Sequence, residues 1–178
     1  MNAKSCLVQL VVISVLVVAP ASGQGQNIPV VHNGVVDAAV SEVWDAFTTS
    51  KGQESWMVAH SDIELKIGGR MRTHYEQKGV IGDSKTIENS VVAYDPLRMF
   101  SIRVTKPPEG FPFPNAIKNM WTVIYFEALG PKSTLVRIVG LGFGDDEESK
   151  KMRSFFERGN AYTLKKLQER FATGKAVN

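Results

Sequence analysis

The chain has 178 residues, of which 43% are hydrophobic, a formal net charge of +3 and a single cysteine. That is enough apolar material for one globular domain with its own core. Basic residues are scattered or stand in pairs beside acids, as at Lys150-Lys151 and Lys165-Lys166, which excludes the clustered stripe that nucleic acid or an anionic membrane would require.

The amino terminus reads as a secretory signal. Lys4 gives a short positive region, Leu7 to Ala19 is apolar except for Gln9 and Ser14, and "APASGQ" supplies small residues for cleavage after Ala21 or, preferably, Gly23. The run is shorter than the roughly 20 residues that span a bilayer, although an uncleaved anchor is the alternative. The expectation is therefore a signal over 1–23 and a single domain over 24–178, periplasmic or secreted, with no stable membrane insertion after cleavage. Cys6 precedes the apolar run, so the mature chain would have no disulfide, no catalytic thiol and no thiolate metal site.

"NIPVVHNGVVDA" (27–38) is rich in valine and predicts the first strand. "SEVWDAFTTSKG" predicts a helix capped by Ser41, with Val43, Trp44 and Phe47 on one side and Gly52 at its end; a short second helix follows over Glu54–Met57. From His60 to Phe143 the alternation, the β-branched residues and the turns at Gly68-Gly69, Asp95-Pro96 and Gly130-Pro131 predict roughly six strands. The last segment predicts one long helix capped by Asp145. Met152, Phe156, Asn160, Thr163, Leu164, Leu167 and Phe171 form its buried stripe. Strands followed by a helix indicate an α+β layer fold.

The stretch "WMVAHSDIELKIGGRMRTHYE" (56–76) holds His60 and His74, and its pattern decides what they do. Met71, Thr73 and Tyr75 share one side of a strand, and Arg70, Arg72, His74 and Glu76 the other. Keeping Ile63 and Leu65 on the side of Met71 rules out a two-residue Gly-Gly turn. A three-residue loop, Ile67-Gly68-Gly69, pairs Glu64 with Arg72, Asp62 with His74 and His60 with Glu76, all charge-complementary, whereas the alternative register sets Asp62 against Glu76 and Lys66 against Arg72. Both histidines then belong to surface ion pairs. No ligand set for zinc converges there, and the outer side of a hairpin offers no cleft for catalysis. Interest moves to Met71 and Tyr75 on the inner side.

"AAVSEVWDAFTTSKGQESWM", the "IGGRM" hairpin, "YDPLRMFSIRV", "WTVIYFEALGPKSTLVRIVGLGF" and "FFERGNAYTLKKLQERF" together resemble the START-like, or SRPBCC, helix-grip superfamily. Within it they resemble the domains named after the activator of the heat-shock chaperone (Hsp90) ATPase. The resemblance covers Val35 to Phe171. It implies a curved antiparallel sheet of about six or seven strands wrapped around the C-terminal helix, with a hydrophobic cavity between them. Two departures stand out: Val40 where relatives commonly have proline, and Gly159-Asn160 where they often have Gly-Trp. Asn160 thus falls on the buried stripe, where an amide must find partners or cost about 1–3 kcal/mol. It is bonded to backbone or water, or it orients a ligand.

The expected ligand-binding residues are Trp56, Met71, Tyr75, Phe100, Ile102, Phe126, Phe143, Phe156 and Asn160; taken one by one, each of the apolar ones is also an ordinary core residue. "KPPEGFPFPN" (106–115) is a stiff loop or a lid. Trp121, Val123 and Tyr125, with Leu135, Val139 and Leu141, give the outer sheet surface an apolar side on which a homodimer could form. The expected function is binding of a small apolar molecule or lipid, with no cofactor, no metal and no assigned catalytic residue. The alternatives are an enzyme using the same cavity, cyclase- or aromatase-like, with Tyr75, Asn160 and Thr163 as its polar groups, and a protein-interaction, co-chaperone-like domain.

Overall fold

A computed structural model describes residues 28–174. The predicted signal, 1–23, lies outside them. The elements are β1 (Val30–Val36), α1 (Val40–Thr48), α2 (Ser50–Glu54), β2 (His60–Ile63), β3 (Arg70–His74), β4 (Ile87–Asp95), β5 (Met99–Lys106), a 3-10 turn (Ala116–Asn119), β6 (Trp121–Gly130), β7 (Ser133–Leu141) and α3 (Glu147–Thr173). The strands form one seven-stranded sheet in the order β1-β7-β6-β5-β4-β3-β2, every neighbouring pair antiparallel. This is the α+β arrangement that the pattern of strands and helix implies. Helices α1 and α2 carry the chain from one edge of the sheet to the other.

The inner face of the sheet meets α1 and α3. Trp44, Phe47, Trp56, Phe100 and Phe126 are buried here, and Trp44–Phe126, Phe47–Phe126 and Phe47–Trp56 pack edge to face at 5.5, 5.4 and 5.1 Å between centroids. A second cluster gathers Val30, Ala116, Ile117, Met120, Phe143 and Met152. Helix α3 lies close to β1 because Gly34 has no side chain: a Cβ there would stand 2.8 Å from Leu164 Cδ2. Along α3, Met152, Leu164 and Leu167 are buried, and Phe156, Asn160, Thr163 and Phe171 half-buried, so the predicted stripe is the face turned to the sheet.

Side chains from the helices reach backbone groups at or beside both sheet edges. At β2, Ile63 N–H donates to Ser50 Oγ at 3.2 Å and Ser61 N–H to the Glu54 carboxylate at 2.9 Å. At β1, Gln168 donates to Val35 O at 2.9 Å, and Arg153 to the carbonyls of Ile28 and Pro29.

Several local expectations are corrected. The N-cap of α1 is Ala39 rather than Ser41, and Glu42 closes the turn by accepting the Ala39 N–H at 3.0 Å. Gly52 lies inside α2 instead of ending α1. Thr49 separates the two helices and caps the second, and Gly52 passes so near Asp45 O that a Cβ would come within 2.0 Å of it. The second helix accordingly starts at Ser50 and ends at Glu54. The N-cap of α3 is Asp146, one residue beyond Asp145, accepting from Ser149 N at 2.9 Å.

The hairpin has the expected sides but a different register. His60 faces His74, Asp62 faces Arg72 and Ile63 faces Met71, so the predicted pairs Glu64–Arg72, Asp62–His74 and His60–Glu76 do not form. The connection is longer because Gly68 N and Gly69 O bond to Val91 in β4, at 2.8 and 2.9 Å, drawing the loop onto the next strand. Asp62 pairs with Arg72. His74 is not on the surface: only 1% of it is exposed, since residues 76–86 fold back over the outer side of β3 and supply Asp83. His60 meets Gln77 O at 3.1 Å and makes no ion pair with Glu76.

Candidate functional site

Alternation on β3, β4, β5 and β6 sends Met71 and Thr73, Ile87 and Asn89, Phe100, Ile102 and Val104, and Thr122 and Ile124 to the inner face. The middle of α3 stands opposite with Phe155, Phe156, Asn160 and Thr163. Between them is a cavity of about 470 Å³, also bounded by Phe47, Gln53, Met57, Ile117, Met120 and Ile138. Its volume suits a small organic molecule. Among the described residues that line it there is no Asp, Glu, Lys, Arg or His. The described residues also contain no group of three or more His, Cys, Asp or Glu placed to hold a metal ion.

Most of the predicted site residues meet here: Met71, Tyr75, Phe100, Ile102, Phe156 and Asn160 all border the cavity. Trp56, Phe126 and Phe143 do not. Trp56 is wholly buried behind Phe47, its indole N–H donating to Ala46 O at 3.0 Å. Phe126 packs between Trp44 and Phe47, and Phe143 against Phe156 in the second cluster. These three hold the walls in place from behind. Sequence reasoning missed Asn89, Met57 and Phe155; inward alternation on β4 was available as a signal for Asn89, whereas Phe155 lies off the apolar stripe of α3.

The cavity's polar groups differ in how they are satisfied. The Gln53 amide donates to Phe47 O at 2.7 Å and accepts from Ser61 Oγ at 2.6 Å, so it is fixed by the protein. The Asn160 Nδ2 is buried with no hydrogen-bond partner. Tyr75, just beyond β3, stands at the mouth with 62% of its surface exposed. Its ring borders the concavity, where desolvation of the phenolate pushes its pKa above the ordinary value.

The proline-rich segment is part of this wall. Pro107, Pro108 and Phe111 line the cavity, and Phe111 and Phe113 meet Phe155 of α3 at 6.0 and 5.7 Å between ring centroids. One end of the strap is tied to the loop over β3: Ser84 Oγ donates to Glu109 Oε2 at 2.6 Å, and Glu109 N to Ser84 O at 2.7 Å. That loop is organised by Asp83, which accepts from Lys85 N at 2.8 Å and faces the His74 ring at 3.1 Å. Desolvation opposes the Asp83 carboxylate, but the N–H groups of Val80 and Lys85 and the His74 ring outweigh it and lower its pKa. The other end is tied to α3 by Glu148, which accepts from Asn115 N at 2.8 Å and Ala116 N at 3.1 Å. These N–H groups, Ala116 first, hold the Glu148 carboxyl below its ordinary pKa.

An antiparallel sheet closed over a long C-terminal helix, with an apolar cavity between them, defines the helix-grip class. The chain belongs to the START-like (SRPBCC) superfamily, and residues 29–172 match the family model described as polyketide cyclase/dehydrase and lipid transport. A Staphylococcus saprophyticus protein of known structure is similar at a TM-score of 0.64 and 14% identity, over 85% of this chain and 96% of that one. The Aha1 dimer of Colwellia psychrerythraea is similar at 0.60 and 14%, over 81% and 96%. CalU16 of Micromonospora echinospora is similar at 0.59 and 19%, over 83% and 75%. At these identities the likeness is one of fold. No curated protein matches the sequence.

Proposed function

We propose that the protein holds a small, mainly apolar molecule or lipid in the cavity between sheet and α3, and that it does so outside the cytoplasm. The observation that carries this reading is the cavity itself: about 470 Å³, walled by aromatic, aliphatic and methionine side chains with few polar groups. The family description, with its mention of lipid transport, agrees with it. The location rests on the signal-like amino terminus, Lys4 followed by the apolar run and "APASGQ".

The same family description also names cyclase and dehydrase chemistry, and Tyr75 favours that second reading. The Tyr75 phenol borders the cavity mouth, where its O–H can donate a hydrogen bond to an oxygen of a bound substrate. The apolar outer sheet surface supports a further proposal, a homodimer formed across that surface.

Native mass spectrometry of the mature protein purified from its own host, with organic extraction of bound material, tests the main reading. A stoichiometric apolar adduct and an amino terminus beginning near Gln24 are the expected result. A bare protein that takes up no hydrophobic dye or lipid would defeat it. Turnover of the extracted compound, lost in Tyr75→Phe while binding persists, would favour the enzyme.

A further inference from the structure

We infer that the ligand is electrically neutral and carries a hydrogen-bond acceptor, of ketone or ester type, which Asn160 binds from the middle of α3; this rests on the ligand-binding reading above.

Two independent observations converge. The first is the absence of any ionic side chain among the described residues that line the cavity. A carboxylate or phosphate drawn inside would surrender its hydration with no counter-charge to replace it, which is strongly unfavourable. The second is the contrast between two amides. Gln53 is saturated by Phe47 O and Ser61 Oγ, so it has a structural role already. Asn160, on the facing helix, leaves its Nδ2 buried and without a partner. The terminal torsion of asparagine is broad and roughly two-fold, so the amide turns at little cost to present that nitrogen to the cavity. An acceptor oxygen placed beneath α3 would satisfy it, and the aliphatic and aromatic walls would take the rest of the molecule. Asn160 is then a residue that selects the ligand's chemistry.

One alternative placement would evade this selection. Beyond Phe155, which is 43% exposed, a groove is lined by Lys150, Lys151 and Arg158. An anionic amphiphile could leave its head there with its tail in the cavity. The geometry of Asn160 favours the neutral molecule, and the test separates the two.

The experiment measures displacement of N-phenyl-1-naphthylamine, a neutral probe with no carbonyl, from the mature protein by 2-undecanone and by decanoate, ligands of similar length, at pH 7.5 and pH 4. The ketone is expected to bind at least about tenfold more tightly at pH 7.5, a gap that narrows at pH 4 as the acid becomes neutral. Asn160→Leu should weaken the ketone roughly three- to tenfold relative to N-phenyl-1-naphthylamine, which carries no carbonyl acceptor, as loss of one hydrogen bond implies, with thermal stability unchanged or raised. Asn160→Ala gives the same readout should leucine not fit. Equal affinities for the two ligands at pH 7.5, decanoate binding that falls in Arg158→Glu, or ketone binding indifferent to both Asn160 variants would each overturn the assignment while leaving a ligand-binding cavity. Failure to take up N-phenyl-1-naphthylamine or either ligand would overturn the binding reading with it.

Discussion

At the scale of single residues, the interior divides into side chains that hold the walls and side chains that are the walls. Trp56 belongs to the first group: wholly buried, packed on Phe47 and hydrogen-bonded to Ala46 O. Trp56→Ala should cost about 3–5 kcal/mol, the usual range for a large aromatic in a filled core. Phe156 borders the cavity on one side, so Phe156→Ala should cost less than half as much while enlarging the site. Urea unfolding of both variants checks this ordering, and equal losses would mean that Phe156 is an ordinary core residue. The sequence supports aromatic character at both positions through inward spacing. It cannot separate them, because periodicity identifies the buried side of an element but not what space lies opposite. His74 shows the same limit in reverse. Its alternation places it correctly on the outer side of β3, but only the fold-back of residues 76–86 buries it against Asp83.

At the scale of elements, the strap over 107–115 is held by carboxylates rather than by strand pairing. Glu148 ties it to α3, and its pKa is lowered because the charged form accepts the Ala116 and Asn115 N–H groups. A carboxylate whose folded pKa lies below its unfolded value contributes stability that is fully present above the unfolded pKa, about 4.3 for glutamate, and lost as pH falls through the folded value. The protection factors of the amides in residues 111–118, which remove the intrinsic pH dependence of exchange, should therefore fall below about pH 4. Glu148→Gln should show the faster exchange already at neutral pH, with little change in the central strands. Identical exchange in the two proteins would remove Glu148 as the tie. The long helix itself was legible in outline from Met152 to Phe171, because three- and four-residue spacing survives whatever it packs against. The hairpin was legible in its sides, which follow from alternation, but not in its register. That depends on Gly68 and Gly69 bonding to β4, a contact between segments far apart in sequence.

At the scale of the molecule, the outer side of the sheet carries Val31, Val35 and Tyr125, each substantially exposed, whereas Val123 and Val139, expected on the same exposed side, are buried. Trp121 is covered in part by Arg103, whose guanidinium lies 5.7 Å from the ring centroid, and Arg137 stands opposite Tyr125. The surface is thus apolar with cationic interruptions, less uniform than its alternating residues imply. A homodimer across it should appear in light scattering as a mass that halves on dilution, and Tyr125→Glu should shift that equilibrium to the monomer. A constant monomeric mass at high concentration would sink the dimer.

The helix side chains that reach the rims of the sheet have a further consequence. A sheet with strands as rich in valine as β1 and β7 offers, wherever its margin is bare, a template on which further chains can stack into fibres. Here Ser50, Glu54, Gln168 and Arg153 take up margin backbone groups with side chains from the helices. Resistance to aggregation therefore depends on the helices being docked. An opening of α3 wide enough to bare β1 would free one of these margins, so whatever keeps that helix docked also guards against fibre formation.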